Sequence, residues 1–279
     1  MVEVENVYKS FGKKKVLMGA NINIDKGEIV GLVGKNGAGK TTLIKIISGL
    51  IFAQKGEINS NNEKVMAFIE QPAFFQDMTG RENLEYFLGR VLTEEEIEQA
   101  PFKCGEFVDT PIKKYSMGMK QKMALWMMSL SDAEYLLFDE PSVALDVETV
   151  KEFDDLLISI KKEKGILVSS HNFSELQNIC DRVIVLNNGL CHKEILMDEM
   201  HRNVYLIKVL NAFDEDNMLF LNEENVTVSD NEIEFVGTLD ELADFNYRLV
   251  NNNFRVYEII KKYEYLETRF METINEEGV

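Results

Sequence analysis

The segment Gly34-Lys-Asn-Gly-Ala-Gly-Lys-Thr-Thr42 has residue types and spacing suited to binding phosphate groups. It follows the pattern G-x-x-x-x-G-K-[ST], in which backbone N–H groups turn inward around a phosphate. We expect Lys40 to reach the β- and γ-phosphates of a nucleotide and Thr42 to bind on the α-phosphate side. The candidate nucleotide-binding residues of this loop are Gly34, Lys35, Asn36, Gly37, Ala38, Gly39, Lys40, Thr41 and Thr42.

A pair of carboxylates, Asp139 and Glu140, follows the apolar run Tyr135–Phe138. Adjacent side chains on a strand point to opposite faces, so the two carboxylates can take different tasks. We expect Asp139 and the Thr41 hydroxyl to hold a Mg²⁺ ion shared with the phosphates. Glu140 is then the candidate general base that activates the attacking water. With the phosphate loop, this pair indicates a site that hydrolyses a nucleotide.

The elements that position these residues are predicted from short apolar runs that alternate with helical periods in residues 1–200. This alternation favours a buried sheet in an α/β domain. A strand at Glu28–Val33 precedes the phosphate loop, and a helix carrying Leu43 follows it. Three further runs have the length of core strands: Tyr135–Phe138, Ile166–Ser169 and Val183–Leu186.

The chain is predicted to form two domains, residues 1–203 and residues 204–279. Helix-prone segments and prolines without a strong strand predict a small helical insert at about residues 72–131 of the first domain. Short alternating runs predict strands in the second domain, which we interpret as a small α+β appendage. Its two predicted helices are Leu239–Asn251 and Val256–Thr273.

Composition excludes several classes of function. The chain has 30 Lys+Arg and 48 Asp+Glu, a net charge of −18, which argues against nucleic-acid binding. The chain has three cysteines, Cys104, Cys180 and Cys191, and they form no CxxC motif. This pattern predicts neither a disulfide framework nor a zinc site. No apolar stretch approaches the ~18 residues of a membrane span, so we expect the chain to cross no membrane by itself. The local excess of lysine near the phosphate loop suits an anionic ligand, although we interpret Lys13–Lys15 as a solvated face.

With these motifs the chain resembles the ATP-binding subunit of an ABC transporter over about residues 1–200. Tyr115-Ser-Met-Gly-Met-Lys-Gln121 is similar to the LSGGQ signature of that family, with Ser116 and Gly118 retained. The resemblance implies a P-loop NTPase (RecA-like) core of α/β class with an antiparallel β subdomain, besides the helical insert and the appendage. It also implies that Ser116 and Gly118 bind the ATP held by the opposite subunit of a dimer.

The resemblance implies roles for four further positions. Phe11 stands where the family has an aromatic residue that stacks on adenine. Gln71 matches the glutamine that touches Mg²⁺ and the water, and His171 matches the histidine at the γ-phosphate. Ser142–Asp146 matches the loop that crosses the dimer interface. The implied catalytic residues are therefore Glu140, His171 and Gln71, and the implied metal ligands are Thr41, Gln71 and Asp139.

By this resemblance the chain is a Mg²⁺-dependent ATPase that pairs with a second copy or a paralogue. It drives separate transmembrane permease subunits, which attach it to the inner face of the cell membrane from the cytoplasm. The Tyr-Ser-x-Gly-Met form of the signature favours export, as does the tail with Leu266-Glu-Thr-Arg-Phe270. The cargo stays open.

Other classes share this type of ATPase. An ATPase that serves soluble partners, such as an iron–sulfur assembly complex, stays open on the motifs. The DNA-repair and chromosome ATPases need a long coiled coil, but only 73 residues separate Thr42 from Ser116. The translation factors of the superfamily need two such domains, and only one is present.

Overall fold

The structure is a computed structural model, and it describes residues 1–70, 72–143, 145–196, 203–210, 221, 225–229 and 231–264. The chain divides into two compact units, Met1–Glu194 and Ile195–Val279. The domain assignment made from the sequence, with its boundary after residue 203, stays a prediction.

Strands and helices alternate along the first unit, as the sequence predicts. The strands of the described chain are β1 Val2–Phe11, β2 Lys14–Ile24, β3 Ile29–Val33, β4 Lys55–Asn59, β5 Val65–Phe68, β6 Tyr135–Asp139, β7 Gly165–Ser170, β8 Arg182–Asn187, β9 Leu190–Leu196, β10 Asn203–Val209, β11 Val226–Ser229, β12 Glu232–Gly237 and β13 Val256–Glu264. Its α-helices are α1 Lys40–Ile47, α2 Gly80–Leu88, α3 Glu94–Glu98, α4 Met117–Leu130, α5 Val147–Ile160, α6 Phe173–Leu176 and α7 Leu239–Asn251, and short 3₁₀ helices lie at Pro101–Glu106 and Ile112–Lys114.

A six-stranded sheet forms the centre of the first unit, in the order β5-β6-β7-β3-β8-β9. Strand β3 lies between β7 and β8, runs parallel to both and is buried along its whole length. Strand β6 pairs in parallel with β5 and β7. Parallel strands end at the same edge of a sheet, so the segments that follow β3, β6 and β7 meet there. The predicted α/β class and P-loop core are confirmed.

A separate antiparallel sheet of order β2-β1-β4 completes the first unit. Strands β1 and β2 form a hairpin whose last register pair is Phe11 and Lys14. Val4, Leu17 and Ile22 from these strands pack in one core with Leu43 and Ile47 of α1. This core fixes the end of the hairpin relative to the helix that follows the phosphate loop.

The helical insert begins after β5 and ends with α4. Capping boxes start two of its helices: Thr79 and Glu82 bond reciprocally at α2, and Thr93 and Glu96 do so at α3. Ser116 caps α4, because its hydroxyl accepts a hydrogen bond from the Met119 N–H. In the described part of the chain, no helix has the length and apolar character needed to span a membrane.

The second unit contains an antiparallel sheet of order β11-β12-β10-β13 and helix α7, which confirms the predicted helix Leu239–Asn251. The predicted helix Val256–Thr273 is wrong over its described part, which is strand β13. Val256, Ile259, Ile260 and Tyr263 have helical spacing, but β10 offers a full backbone partner along this segment, and pairing with it decides the structure. Residues 265–279, including Leu266–Phe270, lie outside the described residues.

Helix α5 carries a carboxylate that reduces stability at neutral pH. Burial raises the pKa of Asp154 from 3.8 to about 6, and the charges of Asp155 and Glu175 add to this effect. Between these pKa values the folded chain binds more protons than the unfolded chain, so the free energy of unfolding falls as the pH rises. Above about pH 6 the full penalty is present.

We therefore expect Asp154→Asn to raise the free energy of unfolding at pH 7 by about 1 kcal/mol, a value reduced for the partial exposure of the carboxylate. The gain should disappear below about pH 4, where both states of the wild-type carboxyl are protonated. Urea unfolding of both proteins at the two pH values measures this difference. An equal gain in the free energy of unfolding at both pH values would show that the charge of Asp154 is not the cause.

Candidate nucleotide-binding and catalytic site

An open cleft of about 510 Å³ lies at the edge of the central sheet where β3, β6 and β7 end. It brings together the phosphate loop, the end of the β1–β2 hairpin, Glu140 and His171. Its lining residues are Phe11, Lys14, Val16, Asn36, Gly37, Gly39, Lys40, Thr41, Thr42, Glu140, Val143 and His171.

The phosphate loop has a backbone that glycine makes possible. Gly39, the N-cap of α1, has a φ of 114°, which side-chain-bearing residues rarely adopt. A side chain at Gly34 would place its Cβ 2.4 Å from the carbonyl oxygen of Leu186. No side chain caps the N-terminus of α1 and its first turn holds no acidic residue. Its N–H groups and the positive end of its dipole are therefore available to an anion.

Lys40 is the buried cation of the cleft, with a side chain only 5% exposed. Its Nζ donates a hydrogen bond to the Gly34 carbonyl oxygen at 2.7 Å and lies 3.1 Å from Glu140 Oε1. A buried ammonium group requires anionic or carbonyl partners. A γ-phosphate in the cleft would compete with Glu140 for this charge.

Asp139 is held by hydroxyl groups on both sides. Thr41 Oγ1 donates to Asp139 Oδ2 at 2.6 Å, and Ser169 Oγ donates to Asp139 Oδ1 at 2.6 Å. Asp139 and Ser169 are both buried. The predicted metal ligands Thr41 and Asp139 therefore lie in direct contact, at the first turn of α1 and the end of β6.

Glu140 and His171 form the other pair in the cleft. The Nδ1–H of His171 donates to Glu140 Oε2 at 2.8 Å, while Glu140 Oε1 faces Lys40. Glu140 has a φ of 49°, in the left-handed region that residues other than glycine seldom occupy. Its N–H bonds to the hydroxyl of Ser169 on β7 at 3.1 Å. Backbone strain at a carboxylate in a cleft is typical of a functional position.

Phe11 lies at the mouth of the cleft with its ring half exposed, as an aromatic surface for a base requires. Lys9 Nζ stands 5.4 Å from the centre of this ring and also donates to the Phe52 carbonyl oxygen. Lys9 therefore restrains one side of Phe11. Another side of the Phe11 ring can stack on a ligand.

Not every predicted site residue lines this cleft. Among the described residues, Ser116, Gly118 and Asp139 are outside its lining, as are Gly34, Lys35 and Ala38 of the loop itself. Ser116 is exposed at the N-terminus of α4. Gln71 lies outside the described residues.

The sequence motifs do not identify two residues of the site, Lys14 in the cleft and the buried Ser169 behind Asp139. Lys14 was read as part of a solvated face, yet it lines the cleft beside Val16. The signal was the short turn after Phe11, because a tight hairpin places Lys14 opposite that ring. Ser169, which binds Asp139, carried no signal of its own.

The segment Ser142–Asp146, described except for Ala144, leaves the cleft and leads into α5. Asp146 caps that helix, and hydrogen bonds from the Thr149 N–H and hydroxyl lower the pKa of Asp146. At the other end of the segment, the Ser142 hydroxyl donates to Glu175 on α6. Both ends of the segment are therefore fixed to helices.

A second cavity, of about 730 Å³, lies on the other side of Glu140. Met117, the first residue of α4, lines it together with Asp139 and Glu140. Gln121 Nε2 donates to the Pro141 carbonyl oxygen at 2.6 Å and is buried. Helix α4 is therefore attached directly to the segment that carries Glu140.

A glycine-rich loop lies between a buried parallel strand and a helix, its Lys40 shares the cleft with Glu140, and its Thr41 contacts Asp139. This arrangement defines a P-loop nucleotide hydrolase. The ABC transporter family model matches residues 17–143. The NatA ABC transporter ATP-binding protein of Bacillus subtilis is 32% identical over 216 residues, which is 68% of this chain and 87% of NatA.

Two further comparisons agree. The bacitracin transport ATP-binding protein BcrA of Enterococcus faecalis is 28% identical over 301 residues, covering 100% of this chain and 98% of BcrA. A solved ATP-binding subunit of an ABC transporter aligns with a TM-score of 0.64 and 26% identity, over 72% of this chain and 92% of that one. The chain belongs to the family of ABC transporter ATP-binding proteins, and it is an ATPase.

Proposed function

We propose that the chain is the motor subunit of an ABC exporter, which closes on ATP as a dimer and drives separate membrane subunits. The observation that carries this proposal is the contact of Glu140 with both Lys40 and His171 at the end of the phosphate loop. A base, a phosphate-binding cation and an imidazole within one cleft suit cleavage of a terminal phosphate.

The phosphates of ATP occupy the loop in this proposal. Backbone N–H groups between Gly37 and Thr42 and the ammonium group of Lys40 bind the β- and γ-phosphates, and Phe11 stacks on the adenine. Lys14 adds a positive charge at the mouth of the cleft. When the γ-phosphate takes Lys40, the Oε1 atom of Glu140 becomes available to a water.

The residues present fit a Mg²⁺ ion. This ion needs only one or two protein ligands besides phosphates and waters, and the Thr41 hydroxyl and Asp139 carboxylate are already in contact at 2.6 Å. We assign these two residues to the metal, which supplies positive charge to the phosphate oxygens when bound. The buried Ser169 hydroxyl orients Asp139 for this role.

Glu140 is the general base of the proposed reaction. It takes a proton from a water whose oxygen forms the new bond to the γ-phosphorus, while the bond to the bridging oxygen breaks and ADP leaves. His171 holds the other carboxylate oxygen of Glu140 at 2.8 Å and thereby fixes the direction of the base.

A second copy of the chain completes each site. Ser116 and Gly118 lie outside the lining of the cleft in their own described chain, although Ser116 begins an exposed helix N-terminus that suits a γ-phosphate. Two copies placed face to face would bring the α4 N-terminus of each to the cleft of the other. ATP then stabilises the closed dimer because it contacts both copies.

An exposed aromatic patch, formed by Phe75, Tyr86 and Phe87, supports docking to a membrane subunit. The rings contact one another at centroid distances of 5.0 to 5.8 Å, and all three remain substantially exposed on and beside α2. Clustered exposed aromatic side chains mark a protein interface more often than single ones do. This patch would hold the chain at the inner face of the membrane through its partner.

We propose export as the direction of transport because of the Tyr115–Met119 form of the signature. The name of BcrA refers to bacitracin transport, and a cargo of that kind is one candidate here. The second candidate function, an ATPase for soluble partners, is the other outcome of the test that follows.

The test is recovery of partners from native membranes with the tagged chain, followed by ATPase assays of the complex. We expect a multi-span partner whose removal changes turnover. Replacing Tyr86 and Phe87 by serine should abolish this recovery without changing ATP affinity, since both residues lie outside the cleft. Val91→Ser, which alters another exposed apolar residue of the insert, is the control. Recovery of soluble partners only, unaffected by the patch substitutions, would support the assembly ATPase instead.

A further inference from the structure

We propose that Glu175 is a positioning residue that sets the separation of Glu140 and His171. One of its carboxylate oxygens binds both the segment after Glu140 and the end of β7 before His171. The proposal rests on the function proposed above, since its effect is measured on ATP hydrolysis. Nothing in the sequence motifs draws attention to this residue of α6.

The geometry is a fork of two hydrogen bonds. Glu175 Oε2 accepts from Ser142 Oγ at 2.9 Å and from Ser170 Oγ at 2.7 Å. The Ser170 hydroxyl in turn accepts from the Asn172 N–H at 3.0 Å, which starts the turn into α6. Hydroxyl groups bound to a carboxylate form stronger bonds than those to neutral acceptors. Ser170 is buried, so water competes little for its bond.

Both hydroxyl groups stand next to catalytic residues in the chain. Ser142 follows Glu140 by two residues, and Ser170 directly precedes His171. Glu140 and His171 meet at 2.8 Å inside the cleft. Besides the bonds of Ser169 to Asp139 and Glu140, the ends of β6 and β7 are therefore joined directly by the catalytic pair and indirectly by Glu175.

Glu175 acts through its neighbours and not on the nucleotide. Within the described part of the chain, the lining of the cleft includes neither Glu175 nor the two serines. The hydrogen bonds of Lys40 and Thr41 involve no residue of α6. The Gly34 N–H bonds to the backbone carbonyl oxygen of Ser170, not to the hydroxyl that Glu175 binds. Loss of Glu175 should therefore affect the alignment of Glu140 and His171 more than the affinity for ATP.

A purely structural role makes a different prediction. Glu175 lies in the first turn of α6, where a negative charge also favours the helix dipole. If that were its whole contribution, its removal would lower stability, and Ser142 and Ser170 would contribute to turnover independently. The distinction lies in whether the two serines act through the same group.

The experiment measures kcat for ATP hydrolysis and nucleotide affinity for variants of the 279-residue chain. We expect Glu175→Ala to lower kcat by about tenfold or more, as for a small displacement of catalytic groups, and to change the Kd for ATP by less than about twofold. Glu175→Gln keeps an oxygen that can accept from both hydroxyl groups, so it should retain most of the turnover. Asp155→Ala is the matched control, because Asp155 is an exposed carboxylate that also acts on Asp154.

A double-mutant cycle gives a result that a purely structural role of Glu175 would not produce. Ser142→Ala and Ser170→Ala should each lower kcat in the wild-type chain and should have no further effect in Glu175→Ala. Thermal melting shows which variants are folded. Should Glu175→Ala not fold, the comparison of Glu175→Gln with the two serine variants and their double variant carries the test.

A wild-type kcat in Glu175→Ala would overturn the inference. The inference would also fail if Ser142→Ala or Ser170→Ala lowered kcat further in the Glu175→Ala variant. A Glu175→Gln variant as impaired as Glu175→Ala would overturn it too. Failure of the proposed function has a separate signature, namely full turnover in Glu140→Gln. If Glu140→Gln stops hydrolysis while Glu175→Ala does not slow it, only the role of Glu175 is refuted.

Discussion

Glu140→Gln is expected to lower ATP hydrolysis by about 10²-fold to 10⁴-fold, the usual contribution of a general base, while ATP binding is retained. The amide has the shape of the carboxylate but cannot take a proton from water. Lys40 keeps its bond to the Gly34 carbonyl oxygen and loses only the carboxylate that competes with the γ-phosphate, so ATP binding should not weaken. Single-turnover hydrolysis and equilibrium nucleotide binding measure the two effects separately.

The matched control for this variant is Glu148→Gln. Glu148 is an exposed carboxylate in the first turn of α5, and the same substitution there removes a charge without touching the cleft. Wild-type turnover is expected for the control. Full turnover in Glu140→Gln would remove Glu140 as the base and with it the proposed mechanism.

Ser116→Arg is expected to abolish turnover and to leave the ATP affinity of the isolated monomer intact. Ser116 is an exposed N-cap outside its own cleft, so the substitution disrupts only the group that this copy offers to the ATP of a second copy. Loss of the cap costs about 1 kcal/mol, which a folded domain tolerates. Steady-state ATPase activity and nucleotide titration of the dilute protein check the two halves of this expectation.

The control introduces the same side chain elsewhere on the insert. Gln99 is exposed near the end of α3, and Gln99→Arg should leave turnover unchanged. If Ser116→Arg instead weakened ATP binding to the monomer, Ser116 would belong to its own cleft and the shared-site proposal would lose its support.

The strands around the site follow from the sequence because they are short, apolar and buried. The runs predicted at Tyr135–Phe138, Ile166–Ser169 and Val183–Leu186 differ from β6, β7 and β8 by at most one residue at each end. Strand β13 was not predictable by the same reasoning. Its apolar residues have the spacing of a helical face, and only the neighbouring strand β10 selects the extended form.

The residues of the site were predictable by type and spacing, but their contacts were not. The loop pattern identifies Lys40, and the strand end identifies Glu140, yet neither shows that the two side chains meet at 3.1 Å. The fork at Glu175 joins serines from two different strand ends, and such contacts depend on the packing of α6 against the sheet. Lys14 needed the register of the hairpin before its place in the cleft was evident.

The central claim is that two copies of the chain share each ATP site, and mixing two inactive variants tests it most directly. A mixed dimer of Ser116→Arg with Glu140→Gln contains one site built from an intact Glu140 of the first copy and an intact Ser116 of the second. Half of a random population of dimers is mixed and has one working site of two, so recovery of up to about a quarter of wild-type turnover is expected. The variants are combined as monomers before ATP is added. Turnover that stays at the level of the separate variants at every mixing ratio would contradict the shared site.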